Sequence, residues 1–287
     1  MSHRKASFKK LTRRVGDVTL YLRGGMLVAR VRHNSSRPRQ ATKKQMDWRL
    51  RWCNQNNLWK AFPPLRRPAF EGRKPGTSDF NRFLSHAMQT EPVYLTRSQV
   101  DNGACVLTSV VVSEGTLPEI KVTHDGIAPA TDIALGNLVI DDVTTVGTLS
   151  AAIVRHNRQF GYGDGLLFYA ARQLADPLLG MPVVKVECAE VVLDGGDGRL
   201  LLHDGVARLG FASRAGVLAA AAPIQGGVAW VHTRGDGSAV RRSTQRMVVD
   251  NAALAHYGGE VAFEAASRSF GGYKDAPFLA PDREEQW

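Results

Sequence analysis

From Pro92 onward the chain breaks into short runs of β-branched and aromatic residues, punctuated by Gly and Asp. This texture constrains the fold most, because such residues close turns between strands and interrupt helices. Cys105–Val112, Glu119–Val122, Asn137–Ile140, Leu166–Ala170, Val183–Leu193, Leu200–His203, Gly216–Ala222, Val228–Thr233 and Ala239–Val249 read as strands. In Val184-Lys185-Val186-Glu187-Cys188 the alternation is strict, which predicts one buried and one wet face. The series predicts a mainly antiparallel β-sandwich region over 93–250, either one enlarged sandwich or two small ones. Leu149–His156 reads as a helix within it, capped by Thr148 and ended at Asn157. Asn251–Tyr257 and Glu260–Phe270 read as short helices of a terminal region, 251–287.

The first 92 residues read differently, as a small α+β head. Residues 1–16 read as a basic arm. Val18–Leu22 and Met26–Val31 flank Arg23-Gly24-Gly25 and predict a hairpin. Thr42-Lys43-Lys44-Gln45 matches a capping box, which starts a helix that runs to Lys60 and stops ahead of Pro63-Pro64. Met46, Leu50 and Cys53 form one stripe on it, and Trp48, Trp52 and Trp59 a neighbouring one that reads first as core. Arg66 to Gly76 reads as a proline-rich basic linker. Thr77 or Ser78 then caps a helix with Phe80, Phe83, Leu84, Ala87 and Met88 on one face.

The charge follows the same division. Residues 1–74 hold 20 basic and 3 acidic residues, a net of +17, while the rest hold 17 basic and 24 acidic, a net of −7. The overall net charge of +10 therefore belongs to one end of the molecule. A basic head on a mildly acidic body predicts a polyanion partner.

Little in the chain spells out a reaction. The three cysteines, Cys53, Cys105 and Cys188, lie far apart and read as reduced core thiols. No zinc-helix, phosphate-loop or nucleophile-elbow signature occurs. Gly161-Tyr162-Gly163-Asp164-Gly165 reads as a turn, and Asp194-Gly-Gly-Asp197-Gly198 as a hairpin turn lacking calcium-loop spacing. Asp141-Asp142 reads as a solvated pair, Arg234-Gly235-Asp236 as a hairpin turn, and His232 as a strand residue on a wet face. The charged start MSHRKASFKKLTRR has no apolar stretch behind it, and no run of about 18 apolar residues occurs. A cytoplasmic protein with no membrane span is expected.

The order of motifs resembles an uncharacterised family from Bacteroidota, described as a domain of unknown function. The resemblance is carried by the glycine-flanked basic hairpin Val15–Arg32, by Thr42, Gln45, Arg49 and Arg51, and by Phe80-Asn81 with Phe83. Val110–Pro118 is similar to that family's entry into its β region. Gly163-Asp164 and Ser243-Thr244-Gln245-Arg246 look like further shared features. The resemblance implies a basic α+β head and a β-sandwich body, and it brings no catalytic residues.

The expectation is thus a non-enzymatic binding protein without cofactor or metal. Arg13, Arg14, Arg30, Arg32, Arg37, Arg39, Lys43, Lys44, Arg49 and Arg51 are the candidate contacts to the phosphates of DNA or RNA. The alternative is a structural or assembly subunit, of the kind derived from a phage or mobile element, whose basic arm packs on another subunit or on an acidic protein. An enzyme with its site in the sandwich is the third reading.

Overall fold

The computed structural model describes residues 13–15, 18–23, 26–31, 40–72, 76–124, 128–203, 205–237 and 239–278. Three short strands come first, β1 (Arg13–Val15), β2 (Val18–Arg23) and β3 (Met26–Val31), in one antiparallel sheet ordered β1-β2-β3. The expected hairpin is β2–β3, in register from Val18 opposite Val31 to Arg23 opposite Met26. The end of the expected arm is instead strand β1. Val15 stands opposite Val18 in its antiparallel pairing with β2.

Helix α1 (Lys43–Ala61) starts at the expected capping box. Thr42 Oγ1 accepts from Gln45 N–H at 3.3 Å, and Gln45 Oε1 accepts from Thr42 N–H at 3.1 Å. The described part of the segment read as a linker, residues 66–72 and 76, is packed on the fold at its start. It forms a single 3₁₀ turn at Pro64–Arg66 and then β4 (Ala69–Phe70), where Phe70 is buried and stacked on His86. Helix α2 (Asp79–Ala87) is capped by Ser78 and α3 (Arg97–Asp101) by Thr96.

The sequence predicts a strand over Cys105–Val112, yet β5 covers only Val111–Glu114 and pairs in parallel with β4. The preceding backbone is satisfied by side-chain amides. Asn54 takes the Val106 N–H at 2.8 Å and donates to the Val106 carbonyl at 3.0 Å, while Asn57 donates to the carbonyls of Val100 and Ala104. Gln173 takes the Leu107 N–H, and Asn251 donates to the Leu107 carbonyl. With most of its polar groups matched by side chains, and the Cys105 N–H by the Pro182 carbonyl at 2.9 Å, this apolar segment is buried without joining a strand ladder.

Next come β6 (Val122–His124), β7 (Pro129–Ala134) and α4 (Val146–His156). The cap of α4 is Thr145, one turn earlier than expected: its Oγ1 accepts from the Thr148 N–H at 3.2 Å, and Val146 and Leu149 both join the core. Asn137–Ile140 and Leu200–His203 are not strands; Leu200 makes an isolated bridge to Thr145. Three strands of 11 residues follow in β8 (Gly165–Ala175), β9 (Pro182–Val192) and later β12 (Gly226–Asp236). Between them lie α5 (Gly205–Gly210), β10 (Ala212–Arg214) and β11 (Val217–Ala219). The run read as one strand over 239–249 divides into β13 (Ala239–Arg242), β14 (Gln245–Arg246) and β15 (Val248–Asp250). Helices α6 (Ala253–Tyr257) and α7 (Gly259–Ser269) end the described fold.

The protein is an α+β molecule whose sheets are mostly antiparallel, with seven α-helices among the described residues. The five-stranded sheet, β13-β12-β8-β9 with β15 also on β12, lies at its centre. Its two faces feed two cores. Leu166, Phe168, Ala170, Val228 and Trp230 meet α4, α5, β7 and β11 on one side. Leu167, Tyr169, Ala171, Ala229 and Val231 meet α1 and α2 on the other. Burial on both faces explains why β8 and β12 are near-continuous apolar runs. In β9, Val184 and Val186 enter the second core, whereas Ala189 and Val191 enter the first. The register is unbroken, so the strand simply passes from one cover to the other. Trp230 is fully buried and donates its indole N–H to the Gly210 carbonyl at 2.9 Å. A Cβ on Gly210 would lie 2.2 Å from the Phe168 ring, so only glycine fits there.

Candidate nucleic-acid interface

The ten candidate cations do not form one surface. Arg32, Arg37 and Arg39 lie outside the described residues. Arg13 and Arg14 belong to β1, and Arg30 is exposed on β3. Of the four on α1, two are engaged by the body. Lys43 is paired with Glu260 and lies 5.3 Å from the Phe263 ring centroid, joining the start of α1 to α7. Arg51 donates to the carbonyls of Met88 and Thr90 and stands 3.7 Å from Asp47. Lys44 and Arg49 are exposed and have no ion pair with a described residue.

Between these two free cations stands the feature that the sequence reading misassigned. Trp48 and Trp52 do not enter the core; they are 52% and 45% exposed. The reason lies on the opposite face of α1, where Met46, Leu50, Asn54 and Asn57 are buried instead. Asn54 and Asn57 turn inward to hold residues 100–106, which leaves Trp48 and Trp52 outside. Gln55, further along the tryptophan stripe, is covered and donates toward the Thr90 and Thr108 hydroxyls. Trp59 is only partly covered, against Phe80 and Phe83 and beneath Arg67. Lys44, Trp48, Arg49 and Trp52, spaced i, i+4, i+5 and i+8, therefore share one exposed face.

The structure corrects two further readings. Arg234-Gly235-Asp236 is not a turn but the end of β12, facing Arg241, Val240 and Ala239 of β13. His232 is not on a wet face: it is fully buried, 4.2 Å from the Phe160 ring centroid. Its Nε2 lies 2.8 Å from Asp164 Oδ2, and Arg234 closes on the same carboxylate with contacts of 2.7 and 2.6 Å. Burial pulls the His232 imidazole below its ordinary range, outweighing the pull of Asp164. Burial opposes ionisation of Asp164, yet bonds from Arg234, the Gly161 N–H and His232 hold its carboxyl low. The pair ties the 161–165 turn to β12, and His232 Nδ1 is left without a partner.

The remaining polar clusters are local. Asp194 and Asp197 accept from nearby backbone N–H groups, Asp141 accepts from Thr144, and Asp142 pairs with Arg208. The cysteines are free. Burial pushes the Cys105 thiol up to about 11 and the Cys188 thiol up to about 12, so both stay protonated at neutral pH. Among the described residues no three His, Cys, Asp or Glu side chains are placed to hold a metal ion, and no helix is long and apolar enough to cross a membrane. Comparison with protein-family models, curated proteins and solved structures finds no match to this chain.

Proposed function

We propose that this is a non-enzymatic binding protein whose basic N-terminal head contacts nucleic acid through its phosphates. The body in this reading is an enlarged β-sandwich, supported by the apolar core that the five-stranded sheet shares with the four-stranded sheet β10-β11-β7-β6. The observation that carries the function is the outer face of α1. Two exposed indoles flanked by two unpaired cations offer stacking for bases and charge for the backbone, the combination used on single strands. The net charge of +17 over residues 1–74 supplies the longer-range attraction.

The test is fluorescence anisotropy of the full chain with labelled single-stranded RNA and duplex DNA. Deleting the head is unsuitable, because Leu58 and Phe62 belong to the second core. The double variant Lys44→Glu with Arg49→Glu alters only exposed positions. Neutralising about six phosphates predicts a roughly thousandfold affinity loss between about 50 and 200 mM salt. Tight, salt-steep binding weakened by the double variant supports the reading. No binding at low salt overturns it.

A second reading, self-assembly, has one observation in its favour. The outer strand β3 exposes Leu27 and Val31, and no described strand pairs with its free edge. It predicts a concentration-dependent size in sedimentation, abolished by Leu27→Lys.

A further inference from the structure

A cleft of about 660 Å³ opens between the Pro64–Arg67 turn, the start of α2 and the central sheet. That volume suits a small organic molecule. Three guanidinium side chains line it: Arg66, Arg67 and Arg242. Arg66 is held by Glu190 at 2.6 Å. Arg67 lies over Trp59, 5.4 Å from the ring centroid, and its buried Nε has no hydrogen-bond partner. Arg242 is half-buried; its backbone N–H donates to Glu71, but its guanidinium has no carboxylate partner among the described residues. The second carboxylate of the lining, Asp79, takes the Phe70 N–H at 3.3 Å. Three guanidiniums against two carboxylates leave one positive charge in excess.

Tyr169 adds a neutral donor. Burial pushes its phenol well above the ordinary range, so it stays protonated, and its hydroxyl bonds to no described residue. The mouth is apolar. Leu65 is 94% exposed and Val240, also on the lining, is 48% exposed. Guanidinium donors beside exposed apolar side chains suit an amphipathic anion.

We propose that this cleft binds a small organic anion: a carboxylate or phosphate group on an apolar body. Arg67, Arg242 and the Tyr169 hydroxyl take the oxyanion, and Leu65 and Val240 cover the apolar part. The site uses none of the residues of the outer α1 face, so it stands independently of the nucleic-acid reading.

The experiment is calorimetric titration of the full chain with 2-naphthoate and with 1-naphthyl phosphate, against inorganic phosphate and neutral 2-naphthol. At least one naphthyl anion is expected to bind at a single site, at least about tenfold tighter than inorganic phosphate and 2-naphthol. The tighter of the two identifies the preferred oxyanion. Arg242→Gln should weaken it roughly 10- to 100-fold, the usual worth of a charge-assisted hydrogen bond. Leu65→Ser, at a position too exposed to affect folding, should weaken it about fivefold. Lys44→Glu with Arg49→Glu should change nothing beyond about twofold. No heat from either naphthyl anion at millimolar concentration overturns the proposal. So does an affinity that survives both Arg242→Gln and Leu65→Ser.

Discussion

Helix α1 and the central strands β8 and β12 are held by opposite means. The strands present Phe168, Trp230, Leu167 and Val231 to cores on both faces. They are fixed by area removed from water, which is strong and indifferent to direction. Helix α1 buries Asn54, Gln55 and Asn57 along with Leu50 and Leu58; Asn54 and Asn57 reach specific backbone groups of residues 100–106, and Gln55 reaches the Thr108 hydroxyl. Hydrogen bonds contribute less each, but they fix rotation about the helix axis, since a twist would leave every one unpaired. The strands supply stability and the helix supplies orientation. One consequence of that orientation is the pair of exposed tryptophans.

The largest test of this contrast lies in the strands. Trp230→Ala should destabilise the protein by about 4 kcal/mol, as expected for a fully buried tryptophan whose removal leaves a cavity. It also strips the Gly210 carbonyl of its donor. Chemical denaturation measures it, and a loss below about 2 kcal/mol would mean that this core is looser than its packing implies.

On α1 the matching change is Asn54→Leu, which keeps volume and adds apolar surface. If the amide is what matters, the variant loses about 3 kcal/mol, because the buried N–H and carbonyl of Val106 both go unpaired. Were hydrophobic burial the rule here as in β12, the variant would be neutral or more stable. Denaturant midpoints decide between these outcomes.

Acid separates the regions further. His232 and Asp164 both have folded-state values below their unfolded ones. Each therefore contributes stability that is complete above its unfolded value, about 6.5 for histidine and about 3.9 for aspartate. That contribution is lost as pH falls through the depressed folded value. Stability should decline from about pH 6.5 downward, and His232→Phe should remove the upper part of the decline. An unchanged profile in His232→Phe would assign the decline to other groups.

How much of this was legible follows the same division. Helices announced by side chains adjacent in sequence were readable, as at Thr42 with Gln45 and at Ser78. Thr96 with Gln99 carries the same signature and marks α3, which the sequence reading passed over. The apolar run at 105–110 looked like a strand because burial favours the same residues, and its partners, Asn54, Gln173 and Asn251, lie far off in the chain. His232 was misplaced for a related reason. Gly-Gly-Val-Ala-Trp-Val before it is apolar at both parities, the mark of a strand with no wet face, but Asp164 is brought to it only by the β8–β12 pairing. In the candidate interface the cations of the head were visible at once. Which were free was not, because Glu260 and the Met88 carbonyl engage Lys43 and Arg51 only in three dimensions.

The smallest stability effect is expected where the binding effect should be distinct. Trp48→Ala and Trp52→Ala remove side chains that are about half exposed and that no core cluster includes. Each should shift stability by only about 0.5 kcal/mol, as surface changes do. If α1 owes its orientation to its inner amides, neither change disturbs the fold, and any loss of single-strand affinity reports direct contact. Stacking of one base on an aromatic ring is worth about 1–3 kcal/mol, so each variant should bind single-stranded RNA roughly 5- to 150-fold more weakly. Duplex affinity, set mainly by phosphate charge, should move far less. Equal losses on duplex and single strand would make the indoles bystanders to the cations. A large drop in stability would show that the outer face of α1 contributes to the fold after all.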